Sequence, residues 1–262
     1  MRTTVRELLD NVDGDGGLNR RRDKKAKRNK HKKGSETPGN TIPPLFAIEP
    51  MNEKQRETFR AFEEGQNLVL HGAAGTGKTF LALYLALRQN LEGRSRSPVV
   101  IIRSAVPTRD VGFLPGTIKE KTAVYEAPYV AVCNELFPKP GMYETLKMGG
   151  HLQFTTTSFL RGLTFRNNTV IIDECENLTF HELDTVITRM GEGCRVLFSG
   201  DFRQSDLWRQ DERNGLPKFM QIVGRMSSFT TIEFQKEDIV RSAMVREYIL
   251  AKLDQEDNDD RH

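Results

Sequence analysis

Six short apolar runs recur along the chain: NLVLH (67–71), VVIIR (99–103), LQFT (152–155), TVIID (169–173), RVLFS (195–199) and TTIEF (230–234). Their length suits strands, and several are apolar at consecutive rather than alternate positions, which marks burial on both faces. Between most of them the apolar residues fall at helical spacing. This predicts helices over Asn52–Glu64, Thr79–Asn90, Ile118–Leu136, Tyr143–Met148, Asn177–Met190, Pro217–Gly224 and Asp238–Leu253. Asn52 is placed to cap the first of them. Strands alternating with helices predict an α/β fold, a parallel sheet with helices on both faces.

Charge changes this picture only at the ends. The net charge is +3, but RRRDKKAKRNKHKK (20–33) alone carries +9, leaving −6 on the rest. The last nine residues, DQEDNDDRH, hold five acids against one arginine. We expect residues 1–45 to form a basic, disordered tail and linker with a short helix at Val5–Val12, 46–253 the folded domain, and 254–262 an acidic tail. A basic stretch poor in apolar residues attracts nucleic-acid phosphates in a salt-dependent way; a solubilising tail or a tether to an acidic partner is the alternative. No stretch approaches the length of a membrane span, and the N-terminus lacks a signal-like apolar region. Cys133, Cys175 and Cys194 show no ligand spacing, which suits a reduced, cytoplasmic chain without structural zinc.

Candidate chemistry starts where the first run ends. GAAGTGKTF (72–80) fits G-x-x-x-x-G-K-[ST] between a strand and a helix. Such a turn aims backbone N–H groups at one point, at a helix N-terminus that favours anions. Gly72, Ala73, Ala74, Gly75, Thr76, Gly77, Lys78, Thr79 and Phe80 would wrap a phosphate chain. Lys78 supplies a point charge and Thr79 a hydroxyl for Mg²⁺. The run TVIID delivers Asp173 and Glu174 to a strand's C-terminal end, where open parallel sheets bind ligands. Asp173 would hold Mg²⁺ and Glu174 would activate water for hydrolysis; an acidic helix start is the alternative. A third run ends in Ser199, Asp201 and Gln204, either an ordinary polar loop or a place for Gln204 to orient the lytic water. The chain has no Asn-Lys-x-Asp element to read guanine, so the nucleotide is read as ATP.

GAAGTGKTFLA, VGFLPGTIKEK, FLRGLTF, VIIDECEN, LFSGDFRQSDL, NGL and DIVRSAMV occur in the order seen in the PhoH-like ATPases, which this chain resembles from about Ile48 to Lys252. The resemblance implies a single RecA-like P-loop NTPase domain, of the short stand-alone type that phages carry, related to superfamily 1 helicases. It implies ATP and Mg²⁺ as cofactors and RNA or single-stranded DNA as partner, without attached nuclease or RNA-binding domains, though a separate nuclease partner stays open. It gives Gln55 as the reader of adenine, Arg103 together with Arg109 as basic positions near phosphate or nucleic acid (surface solvation being the alternative), Arg161 as the first arginine of the family's RGRT-like segment, and Arg241 as an arginine finger. A finger is often supplied across a subunit boundary, and family members are described as hexamers. For Arg241 the alternative is a surface pair with Glu237, for Gln55 an exposed helix position.

The chain departs from the family at Cys175–Glu176, where Ala-Gln is usual, at Leu163 and at Ser242. An ionised glutamate lacks the donors of a glutamine, so the first departure bears on coupling to nucleic acid. Two functions therefore follow. One is an ATPase that remodels or unwinds nucleic acid as a ring, with a neighbour replacing the second RecA-like lobe of a monomeric motor. The other is an ATP-binding interaction module whose nucleotide state controls assembly.

Overall fold

The computed structural model describes residues 42–93, 97–104, 118–160, 162–201 and 215–259. The basic tail, Arg109, Arg161 and Gln204 lie outside the described residues. All six expected strands form: β1 (Asn67–Gly72), β2 (Val99–Arg103), β3 (Leu152–Thr156), β4 (Thr169–Asp173), β5 (Arg195–Gly200) and β6 (Phe229–Phe234). They make one sheet in the order β3-β2-β4-β5-β1-β6, every neighbouring pair parallel. The helices are α1 (Glu53–Glu63), α2 (Lys78–Glu92), α3 (Ile118–Leu136), α4 (Met142–Met148), α5 (Phe180–Thr188), α6 (Gly215–Val223) and α7 (Ala243–Asp259).

The pleat divides the apolar strand residues between two layers. Leu68, Leu70, Ile101, Ile171 and Leu197 pack on one face with α1 through α4. Val69, Val100, Ile102, Val170 and Phe198 pack on the other with α5 and α6. This two-sided burial is why the strands read as unbroken apolar runs. With a phosphate-type loop after β1 and paired acids after β4, it is the RecA-like α/β arrangement. β5 lies between those two strands and sets their separation.

The boundaries that moved did so for local reasons. Asn52 caps α1 as expected, its Oδ1 accepting from Gln55 N at 2.8 Å. The helix expected from Asn177 starts at Phe180, because Thr179 and Glu182 form a capping box there. Cys175–Asn177 forms a 3₁₀ turn ahead of it. The helix expected from Asp238 starts at Ala243, since Val240 N donates to Gly75 O at 3.0 Å instead of entering a helix. α7 then runs on to Asp259, into the stretch expected as an acidic tail. At the other end Leu45, assigned to the linker, is buried in the first apolar layer.

Phe198 is wholly buried on the inserted strand, its ring centroid 4.8 Å from that of Phe219. Phe198→Ala is expected to cost about 3–5 kcal/mol of unfolding free energy, read as a lower denaturant midpoint in equilibrium unfolding.

Candidate active site

The loop after β1 owes its glycines to its own chain as much as to any ligand. Gly72 has φ +110°, and a Cβ there would stand 2.1 Å from Phe234 O on β6. At Gly75, with φ +75°, a Cβ would stand 3.0 Å from Arg241 Cγ and 3.2 Å from Ile249 Cδ1. The loop is thus clamped between β6 and the C-terminal segment. α2 begins at Lys78 with no side-chain cap, so its first-turn N–H groups are free to meet an anion. Thr76 Oγ1 braces the turn by donating to Ala73 O at 3.0 Å.

Lys78 is buried, and its Nζ donates to Gly72 O and Ala73 O at 2.8 Å each. Burial pulls its pKa below the ordinary lysine value, while the carboxylates of Asp201, Glu176 and Asp173 oppose that shift. Thr79 Oγ1 donates to Asp173 Oδ1 at 2.8 Å and lies 3.4 Å from Ser199 Oγ. The second oxygen, Asp173 Oδ2, accepts from Tyr129 OH at 2.9 Å. Tyr129 is driven far above its usual pKa, first by burial and then by the Asp173 carboxylate, so it stays a donor. Thr79 and Asp173 thus bring hard oxygen ligands together beside an anion-ready loop, the donor set that suits Mg²⁺ with a nucleotide.

Glu174 follows with φ 49° and ψ 44°, a left-handed conformation rare for non-glycine residues. Its Oε1 forms an ion pair with Arg103 Nη2, and its Oε2 accepts weakly from Asn177 Nδ2 at 3.5 Å. Arg103 is mostly buried and also faces the Tyr125 ring, 5.8 Å from its centroid. Burial disfavours its charge, but Glu174 and Asp173 more than offset this, so its pKa is raised.

Gln55 is buried rather than exposed, at 1 %. Its Oε1 accepts from Met51 N at 2.8 Å and its Nε2 reaches Thr76 O at 3.4 Å, so it braces the loop. Arg241 lies against its own loop at Gly75, and among the described residues no ion pair joins it to Glu237. Its charge instead reaches Glu135, whose carboxyl burial pushes up and Arg241 draws back. The site residues missed from the sequence are Tyr129 and Tyr125. The available signal was their i, i+4 spacing on one face of a helix otherwise read only for its apolar pattern.

A family model described as PhoH-like protein matches residues 47–252. The PhoH-like protein of Mycobacterium leprae is 29 % identical over 218 residues, 81 % of this chain and 60 % of that protein. Protein PhoH2 of Bacillus subtilis is 35 % identical over 168 residues, 62 % of this chain and 38 % of its own length. The chain therefore spans between roughly a third and two thirds of these relatives. Among solved structures, the large terminase from a thermophilic bacteriophage, in complex with ADP, has a TM-score of 0.46 at 11 % identity, covering 76 % of this chain and 49 % of that one. Among the described residues no helix is long and apolar enough to cross a membrane.

Glu176, the departure from the family's usual glutamine, is not an ordinary ionised acid. Burial foremost, with Glu174 and Asp173 adding to it, pushes its carboxyl up to about 7 against opposing backbone hydrogen bonds. A protonated carboxyl has an O–H to donate, so the difference from glutamine narrows below neutral pH. The folded state binds this proton more tightly than the unfolded chain, so stability falls as pH rises from the model-peptide range toward 7. In nucleotide-free protein without divalent metal, Glu176→Gln is expected to raise Tm at pH 8 and change it little at pH 4.5. Thermal melts across that range check it; an equal shift at both ends would remove Glu176 as the titrating group.

Proposed function

This chain belongs to the PhoH-like protein family, and from that premise we propose that it hydrolyses ATP with Mg²⁺, coupled to RNA or single-stranded DNA. The observation that carries the reading is the closure of Thr79 on Asp173 beside Lys78, with Glu174 next in sequence. The chain is a P-loop NTPase related to helicases; ATP, hydrolysis and the nucleic acid are the finer steps of this reading.

The roles divide by chemistry. The loop 72–80 and the N-terminus of α2 receive the phosphates, and Lys78 exchanges its carbonyl partners for phosphate oxygens. Thr79 and Asp173 would hold Mg²⁺, which would supply positive charge to neutralise the phosphate oxygens. Glu174 takes the proton from the attacking water as the bond from γ-phosphorus to the ADP oxygen breaks. Gln55 fixes the loop next to the position of the base. Arg241, whose side chain lies against Gly75 of its own loop, keeps its proposed part as the finger. Gln204 keeps its proposed part in orienting water, and the basic stretch 20–33 its attraction to phosphodiesters.

A ring remains the proposed assembly, with a neighbouring copy meeting the nucleotide site. The exposed Met244 and Tyr248 of α7, 76 % and 70 % accessible, favour a surface that meets another chain. The interaction-module reading shares this surface and differs only in lacking turnover.

Glu174→Gln is expected to keep ATP binding and lower kcat by about 10²–10⁴-fold. Nucleotide binding by fluorescence and phosphate release, with and without RNA, single-stranded DNA and duplex, measure both. Retained turnover would remove Glu174 as the base, and no turnover in the unsubstituted protein would favour the interaction module. Native mass with and without ATP is expected to show an oligomer of several copies. A strict monomer under both conditions sinks the ring.

A further inference from the structure

The carboxylate assigned as general base is engaged elsewhere. Glu174 Oε1 is ion-paired to Arg103, and Glu174 itself sits in a left-handed backbone conformation. Non-glycine residues hold such a conformation only where their surroundings impose it. A base must offer an oxygen to the water it deprotonates. The oxygen paired with the guanidinium is not available for that task, and the pairing fixes where the other, Oε2, points.

Arg103 is well placed to be drawn away. It is the last residue of β2, in register with Asp173 on β4 and Thr156 on β3. β4 and β5 separate β2 from β1, so Arg103 stands three strand spacings, about 14 Å, across the sheet from the loop strand. A second anion arriving from the β2–β3 side would meet Arg103 on the side of Asp173 away from the loop strand. Its planar fork binds phosphate as well as it binds carboxylate. The pair is incompletely buried, with the Glu174 side chain 41 % and the Arg103 side chain 15 % accessible, so a ligand reaches it without unfolding the layer.

We propose that Arg103 is a positioning residue that restrains Glu174 until a phosphodiester of a bound polynucleotide takes its guanidinium, so that nucleic acid releases the base for hydrolysis. This rests on the ATPase reading above. It makes the connection between nucleic acid and turnover a competition between two anions for one arginine. It needs no movement of the loop and no contribution from a second copy.

The test compares the unsubstituted full chain with Arg103→Gln and Arg103→Lys. Each is assayed for ATP turnover alone, with an oligouridylate, with an oligodeoxythymidylate, and with inorganic phosphate at matched phosphate concentration. The unsubstituted chain is expected to be slow alone and on the order of tenfold faster with an oligonucleotide, the change that freeing one charge-assisted hydrogen bond corresponds to. Arg103→Gln is expected to be fast without oligonucleotide and to gain little from it, with KM for ATP unchanged. Arg103→Lys, which keeps the charge and loses the fork, should fall between the two.

A lower kcat in Arg103→Gln under every condition overturns the proposal and makes Arg103 a support for Glu174 or a contact to the nucleotide. Equal stimulation by inorganic phosphate overturns the polynucleotide as the competing anion. If Arg103→Gln does not fold, as judged by its melt, Arg103→Lys carries the test: stimulation as large as in the unsubstituted chain overturns the proposal. Absence of turnover in all three proteins, with ATP still bound, fails the hydrolysis reading itself and is told apart by the unsubstituted chain alone.

Discussion

Thr79 and Asp173 are 94 residues apart in the chain, and the 2.8 Å hydrogen bond between them joins the start of α2 to the end of β4. That bond exists only if β5 fills the gap between β1 and β4, since the two strands do not touch. β5 in turn stays in place through its buried face, where Phe198 packs on α6. Ser199 at its end comes to 3.4 Å of Thr79 Oγ1, so the inserted strand also supplies a polar neighbour to the junction. From the far side α3 brings Tyr129 to the free oxygen of Asp173. The carboxylate is therefore oriented on both sides before any ligand arrives. Preorganisation of this kind removes reorganisation from the binding or reaction step.

Much of this was legible in the sequence because the signals are local. A buried parallel strand shows as a continuous apolar run, several of the six carry that mark, and all six formed, two of them, 99–103 and 169–173, with both ends in place. The loop and the paired acids were visible because phosphate chemistry needs particular residue types at fixed spacing. What escaped depends on partners far away in sequence. The start of α7 shifted because Val240 is bonded to Gly75, a contact across 165 residues that helical periodicity does not carry. Glu176 read as an acid without donors because its burial was unknown. Gln55 could be read as exposed because only the fold shows the loop resting on it.

Arg241 shows how the same kind of contact reshapes a functional argument. As a sequence feature it suggested an arginine arriving from a neighbouring copy. In the fold it stands on Gly75 of its own loop, beside Ile249 of α7. Ala73, Ile239 and Leu253 form a small apolar cluster at the same place. The phosphate loop and the C-terminal helix therefore share one packing unit. The proposed ring draws on the exposed Met244 and Tyr248 of α7 and not on this side chain alone.

That shared unit also separates two routes by which events at the nucleotide reach the surface. On one side of the sheet the loop is tied by the Val240–Gly75 bond to the segment that leads into α7, and α7 carries exposed Met244 and Tyr248. On the other side Glu174 is tied through Arg103 to the ends of β2 and β3. The first route starts at the loop and the second at Glu174. Under the roles proposed for them, a ligand at α7 would act on how nucleotide is held, and a ligand at Arg103 on whether it is hydrolysed.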